Sequence, residues 1–100
     1  MKNYMSKFIK KAISVDAELI SELIHNAGHN WGALPIWVRE HYEKGDIIFC
    51  NDCIHINTLE GTMVGFKDDM LIQGINDEIY PCKLDIFNKT YDKIDEEIKQ

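Results

Sequence analysis

Two cysteines and a histidine lie close enough in the sequence to hold a metal ion together. Cys50, Cys53 and His55 form the pattern Cys-x-x-Cys-x-His, around a hairpin turn predicted at Asn51-Asp52. The hairpin places the three side chains on one face, where thiolates and an imidazole suit tetrahedral zinc, and Cys82 offers a fourth ligand. A second Cys-x-x-Cys pair is absent from the sequence. We therefore interpret these residues as reduced thiols on a hairpin and predict no metal site.

A cysteine nucleophile with a histidine base is the other chemistry that these residue types allow. Cys82 is the candidate nucleophile, and the chain has four histidines as candidate bases: His25, His29, His41 and His55. Catalysis needs the base within hydrogen-bond reach of the thiol and a third group that orients it, and no local arrangement provides either. The glycines at 61, 65 and 74 lack the spacing of a phosphate loop. We predict that the protein is not an enzyme and carries no cofactor.

Aromatic and cationic side chains are the residues best suited to bind a ligand. Together they can stack on a flat ring and pair with phosphate, although each can equally serve the core. Trp31 is the hardest to explain as core, because it lies in a loop punctuated by glycine and proline. Lys10 and Lys11 are additional cations near the N-terminus. The predicted ligand-binding residues are Trp31, Trp37, Arg39, Tyr80 and Lys83.

The first half of the chain predicts one strand and two helices. Residues 8–15 alternate as a strand, and Asp16 is placed as the N-cap of an amphipathic helix that ends at Gly28. Apolar residues at helical spacing fill that helix, namely Ala17, Leu19, Ile20, Leu23, Ile24 and Ala27. A second, short helix begins at Pro35 or Ile36 and is ended by Gly45.

The second half predicts two hairpins joined by a strand, then a closing helix. In the first hairpin, over 46–57, Phe49 opposes Ile54 and Ile47 opposes Ile56. A turn at 58–61 leads into a strand over 62–66. The second hairpin joins 71–75 to 78–82 through Asn76-Asp77, and a two-residue turn would pair Gln73 with Tyr80. A helix after Lys83 has Ile86, Phe87, Thr90, Tyr91 and Ile94 on one side.

These elements predict one α+β domain over residues 1–100, with 1–7 and 95–100 loose. A small antiparallel sheet of about five to six short strands carries two N-terminal helices and a C-terminal helix. Such a meander leaves at least one strand edge unpaired, and Pro81 blunts only part of it. We therefore expect a homo-oligomer, in which a second copy covers that edge.

The C-terminal segment resembles a family of small phage and prophage proteins whose motif reads roughly G-D-[WY]-I-I-K-G-V-x-G-E-x-Y-P-C-K-P-D-I-F-x-x-T-Y. Upstream, 58–61 is similar to the family's T-L-E-G, and 34–37 to its L-P-x-W. Asp68 and Asp77 depart from the family's glycines, and Leu84 from its proline. The resemblance implies a phage context and no particular activity. The matching positions are Asp69, Ile72, Gly74, Glu78, Tyr80, Pro81, Cys82, Lys83, Asp85, Ile86, Phe87, Thr90 and Tyr91.

Net charge and cysteine content limit the classes of binding partner and indicate the cellular compartment. A net charge of −6 argues against binding to duplex nucleic acid, because a duplex-binding protein needs a broad cationic face. Three cysteines without an N-terminal secretion signal favour a reducing compartment, which the phage resemblance makes the host bacterial cytoplasm. Apolar runs stay well below membrane-spanning length, so we expect no membrane association.

Together these features favour a non-catalytic binding module. One target is a nucleotide-derived small molecule, such as a host immune signal that a phage protein would sequester. The alternative is a host defence or nucleic-acid-processing protein, blocked by an acidic surface.

Overall fold

Two small antiparallel sheets carry the fold in the computed structural model, which describes residues 5–94. This confirms the α+β class, but the six strands are divided between two three-stranded sheets. No helix in residues 5–94 has the length and apolar character needed to cross a membrane. The elements are β1 Asp16–Leu19, α1 Ile20–His29, α2 Ile36–Glu43, β2 Ile47–Phe49, β3 Cys53–Thr58, β4 Gly61–Phe66, β5 Asp69–Gln73, β6 Ile79–Lys83 and α3 Leu84–Thr90, with 3-10 turns at Trp31–Ala33 and Ile75–Asp77.

The first sheet has the order β1-β5-β6. Its first strand, β1, lies later in the chain than the sequence predicts. The predicted strand over 8–15 is wrong, because residues 5–15 form no regular element and Phe8 and Ile9 are 94% exposed. It is Asp16–Leu19 that pairs with the free edge of β5. Asp16 is therefore a strand residue and not a helix cap, and α1 begins only at Ile20. Of the ends predicted to be loose, 1–4 and 95–100 lie outside the described residues.

The second sheet has the order β2-β3-β4, and its first hairpin has the predicted register. Ile47 pairs with Ile56 and Phe49 with Ile54, while Cys50 N–H donates to the Cys53 carbonyl at 2.9 Å. Ile47, Ile54 and Ile56 are buried, so this face of the sheet meets the core. The alternate residues, including Cys53 and His55, project from the opposite, outer face.

The β5–β6 hairpin is one residue out of the predicted register. Gln73 pairs with Ile79, and Ile72 with Tyr80. The loop contains three residues instead of two: Gly74 N–H donates to the Glu78 carbonyl, and Ile75–Asp77 form a 3-10 turn. Asn76 and Asp77 both adopt the positive φ expected of this pair, 58° and 59°. The longer loop places Tyr80 on the same face as Ile72, where it could not lie in the predicted register.

The main core lies between the helices and the inner faces of the sheets. Helix α1 presents only the later part of the predicted apolar stripe, because Ala17 and Leu19 lie in β1, and it continues through Gly28 to end at His29. Helix α2 was predicted with nearly its observed bounds, and it ends before Gly45, which has a φ of 84°. The buried cluster consists of Ile20, Leu23, Leu34, Val38, Ile47, Ile54, Ile56, Leu71 and Ile79.

A second, smaller apolar layer lies on the other face of β5. Cross-strand pairing places Ile72 between Ala17 and Tyr80, and Ile72 is fully buried. Helix α3 packs against β5 and β6, and the Phe87 and Tyr91 rings stack with centroids 5.0 Å apart. These two aromatics are partly buried, whereas Ile86 and Ile94 of the predicted stripe are 53% and 66% exposed.

Gly65 on β4 is required by close packing, so Gly65→Ala is expected to destabilise the protein. An added Cβ would lie 2.5 Å from Ile20 Cδ1 and 3.1 Å from Pro81 Cβ. Overpacking of this kind costs about 1–3 kcal/mol. Denaturant unfolding measures the loss, with Gly28→Ala as the control because its Cβ would meet nothing within 4 Å. Equal stability of the two variants would contradict the packing argument.

Candidate ligand-binding site

Trp31, the residue expected to be freest for a ligand, belongs to an aromatic cluster. Its ring lies edge-on to Tyr42 with centroids 4.9 Å apart, and 6.1 Å from Phe49. This packing joins the 3-10 turn to α2 and β2. The side chain is 39% exposed, so part of the indole still faces solvent.

Trp37 and Arg39 lie on α2 but do not share a site. Trp37 packs against the main core. Arg39 is two positions further along the helix and therefore points in a different direction. Its side chain is partly buried, and its Nε has no hydrogen-bond partner among the described residues.

Tyr80 and Lys83 lie three positions apart on β6 and therefore project from opposite faces. Lys83 Nζ lies 3.6 Å from Asp69 Oδ1 and 5.7 Å from the Phe66 ring centroid. Asp69 is buried and also accepts a hydrogen bond from Phe66 N–H at 2.9 Å, so Lys83 compensates a buried carboxylate. Contact of the five predicted residues with a ligand stays a prediction, and the structure does not bring them into one cleft.

Tyr80 is expected to ionise later than an ordinary tyrosine. Burial and a hydrogen bond with Tyr91 raise its pKa to about 12, above the usual value of about 10. Since the folded state holds this proton more tightly, its stabilising effect is present below about pH 10 and lost as pH rises through about 12. Tyrosinate absorbance and unfolding curves measured across this range should show the late step, and Tyr80→Phe should remove it. Complete tyrosine ionisation near pH 10 would contradict the assignment.

A first cleft, here called the histidine cleft, lies between α1 and the β2–β3 turn. Its volume is about 610 Å³. His25 and His29 lie one helical turn apart on α1 with ring centroids separated by 4.5 Å. Their i,i+4 spacing was visible in the sequence, but nothing there indicated that Lys67 would line the same cleft. The lining residues are Ser21, Ile24, His25, Ala27, Gly28, His29, Phe49, Cys50, Asn51 and Lys67.

A second cleft, here called the acidic cleft, lies where the tip of the β3–β4 hairpin meets the β5–β6 loop. Its volume is about 860 Å³, and its described lining residues include four carboxylates and one lysine. Tyr80 is the only predicted ligand-binding residue among its described lining residues. The polar and charged lining residues are His41, Lys44, Asp46, Asn57, Thr58, Glu60, Asn76, Asp77, Glu78 and Tyr80.

His41, on the wall of the acidic cleft, is a buried structural histidine. It is 4% exposed, its Nδ1 donates to Asp46 Oδ2 at 2.8 Å, and its Nε2 contacts Gln73 Oε1 at 3.0 Å. A ring nitrogen can donate or accept, and the Gln73 side-chain amide offers both a donor and an acceptor, so both ring nitrogens have a hydrogen-bond partner. These hydrogen bonds form a triad of His41, Asp46 and Gln73, which connects α2 and the residue before β2 to β5 in the other sheet. It contains no nucleophile.

The three thiols divide into a pair and a separate residue. The candidate ligand atoms of Cys50, Cys53 and His55 all lie within 4.8 Å of one another. Desolvation and a hydrogen bond with Cys50 raise the pKa of Cys53. Cys82 lies apart from them on β6, where desolvation and the nearby Asp69 raise its pKa. No hydrogen bond within residues 5–94 joins Cys82 to a histidine, and its Sγ contacts the Lys83 carbonyl instead.

Comparison with known proteins does not test the resemblance to the phage family, which stays an expectation. It also supplies no relative from which a function could be transferred. No family model, no curated protein and no solved structure matches the chain.

Proposed function

We propose that this protein is a non-catalytic binding module that holds a nucleotide-derived ligand in the histidine cleft. One observation carries the proposal: on a chain with a net charge of −6, the described residues that line this cleft include a lysine and two histidines but no carboxylate. An anion would therefore meet less repulsion here than on most of the surface. A volume of about 610 Å³ lies within the range of small-molecule sites.

The lining residues suggest how such a ligand would lie. Lys67 and the amide of Asn51 are donors for a phosphate, and the imidazoles of His25 and His29 add further donors. Phe49 also lines the cleft and offers an aromatic ring, whose centroid lies 6.1 Å from that of Trp31. Lys67 already pairs with the exposed Asp52 at 3.1 Å, so a phosphate would have to displace this carboxylate. We therefore expect affinity to fall as salt is raised.

A phage context would explain why such a protein binds a nucleotide. The resemblance of the C-terminal segment to phage proteins supports a role in the bacterial cytoplasm during infection. There the module would sequester a nucleotide signal of host immunity by occupancy alone, without chemistry. Stacking at about 1–3 kcal/mol per base, together with charge-assisted contacts, makes micromolar binding attainable.

Calorimetry against a panel of cyclic and linear nucleotides tests the proposal. We expect saturable binding to one class of nucleotide and a loss of about tenfold or more in affinity for Lys67→Ala, since a hydrogen bond to a charged group contributes about 1.5–3 kcal/mol. Lys44→Ala is the matched control, because it removes the same charge from the acidic cleft. Arg39→Ala distinguishes this cleft from a site on α2, since Arg39 does not line the histidine cleft. Absence of binding across the panel, or equal losses for Lys67→Ala and Lys44→Ala, would refute this site.

The acidic cleft favours a second candidate, an inhibitor that captures a basic segment of a host protein. Asp46, Glu60, Asp77 and Glu78 surround a single lysine, Lys44, among its described lining residues. Side chains of arginine or lysine from a partner would find complementary charge there. Under this alternative, Glu60→Lys with Glu78→Lys abolishes capture of the host protein in a pull-down, whereas Lys67→Ala leaves it intact.

Homo-oligomerisation remains part of the proposal. The outer face of the second sheet carries Ile48, Val64 and Phe66, which are 54%, 39% and 53% exposed. Cross-strand pairing sets Ile48 and Val64 on either side of His55, so exposed apolar side chains flank this histidine on the outer face. Light scattering at micromolar concentration should report a multiple of 11.6 kDa. A monomer mass would contradict the expectation.

A further inference from the structure

The β2–β3 hairpin brings together three metal-ligating side chains, although the sequence alone favoured reduced thiols and no metal site. Cys50 and Cys53 flank the two-residue turn, whose ends are joined by the hydrogen bond from Cys50 N–H to the Cys53 carbonyl. His55 follows two positions later on β3 and therefore projects from the same face as Cys53. Their candidate ligand atoms all lie within 4.8 Å of one another.

We propose that Cys50, Cys53 and His55 form a transition-metal site whose preferred ion is Zn²⁺. Two sulfurs and one imidazole nitrogen are soft and borderline ligands, which favour zinc over Mg²⁺ or Ca²⁺. Two thiolates neutralise the ion's charge, so the site needs no carboxylate. The nearest acidic residue in the turn, Asp52, is already paired with Lys67.

The hairpin geometry suits tetrahedral coordination. Zn–S bonds of about 2.3 Å and Zn–N bonds of about 2.0–2.1 Å place ligand atoms about 3.5–3.8 Å apart. The three atoms need only contract from at most 4.8 Å, which side-chain rotation can supply without moving the strands. The hydrogen-bonded turn holds both cysteines in place before the metal binds, so the ordering cost is low.

The site provides three protein ligands and leaves one coordination position open. No fourth histidine, cysteine or carboxylate of the described residues belongs to the cluster, and Cys82 lies elsewhere on β6. Water or another small ligand would complete the tetrahedron at the fourth position. Cys50 also lines the histidine cleft, so the ion would lie at the margin of that cleft. The metal site does not depend on nucleotide binding there.

Differential alkylation of the unaltered protein is the first test. The protein is reduced, stripped of metal with a chelator, and treated with iodoacetamide with and without one equivalent of Zn²⁺. We expect zinc to slow alkylation of Cys50 and Cys53 by more than about tenfold, while Cys82 serves as the internal reference. Equal rates at Cys50 and Cys53 with and without zinc would overturn the proposal.

Titration with Co²⁺ and then Zn²⁺ tests the ligand set. Thiolate-to-cobalt charge-transfer bands should saturate at one equivalent and disappear when Zn²⁺ displaces the cobalt. Cys50→Ser with Cys53→Ser should lower metal affinity by at least about 100-fold, since even outer-shell partners of a metal are worth about 10–100-fold. Cys82→Ser is the matched control and should bind like the parent. Retained affinity in the double variant, or loss in the Cys82 variant alone, would assign the metal to other residues.

Discussion

Replacement of His41 by leucine is expected to lower the free energy of unfolding by about 3 kcal/mol. Leucine approximates the volume of the imidazole but cannot bond to Asp46 or Gln73, which contact the buried ring at 2.8 Å and 3.0 Å. Leaving a buried polar group without its hydrogen-bond partner costs about 1–3 kcal/mol, and His41→Leu removes the partner of two such groups, of which Asp46, at 33% side-chain exposure, regains some hydration. Such a loss is a large share of a small domain's stability. Urea unfolding followed by tryptophan fluorescence measures it.

The controls separate the hydrogen-bonded triad from histidine substitution in general. His25→Ala removes an exposed histidine and should change stability by less than about 0.5 kcal/mol. His41→Leu combined with Asp46→Leu and Gln73→Leu should recover part of the loss, because no unpaired polar partner then remains. If His41→Leu unfolds at the same urea concentration as the parent, the triad does not connect the two sheets.

Truncation of Ile72 to alanine is expected to be comparably severe, at about 3 kcal/mol. Ile72 is fully buried on the face of β5 opposite the main core, beside Tyr80. Large-to-small changes at fully buried isoleucine or leucine positions cost about 2–5 kcal/mol, because a cavity remains. The loss should appear both in denaturant unfolding and as faster hydrogen exchange in α3, which would lose its packing surface.

Ile86→Ala is the matched control for this second layer. It makes the same truncation on α3 at a side chain that is 53% exposed, and it should cost less than about 0.5 kcal/mol. Similar effects of Ile72→Ala and Ile86→Ala would mean that α3 does not cover β5 in solution.

The binding sites were the least predictable part of the molecule from sequence. Trp31 looked available because it lies in a loop, yet the loop folds its ring onto Tyr42 and Phe49. Lys83 looked like a free cation, yet its cross-strand neighbour Asp69 is buried and paired with it. A sequence identifies which side chains can carry charge or stack. It does not identify which of these side chains pack against, or pair with, other residues of the folded chain.

Local pattern determined most of the elements. Apolar spacing predicted α1 and α2, and the Asn51-Asp52 turn fixed the β2–β3 register, because both depend on neighbours within a few residues. Placement of β1 required knowing that β5 pairs with Asp16–Leu19 and not with the more apolar 8–15. The register of β5–β6 depended on one extra loop residue, which propensities do not resolve. Long-range pairing decided the rest: the division into two sheets, the two clefts, and the contacts of His41 with Gln73 and of Asp69 with Lys83, since each joins residues far apart in the chain.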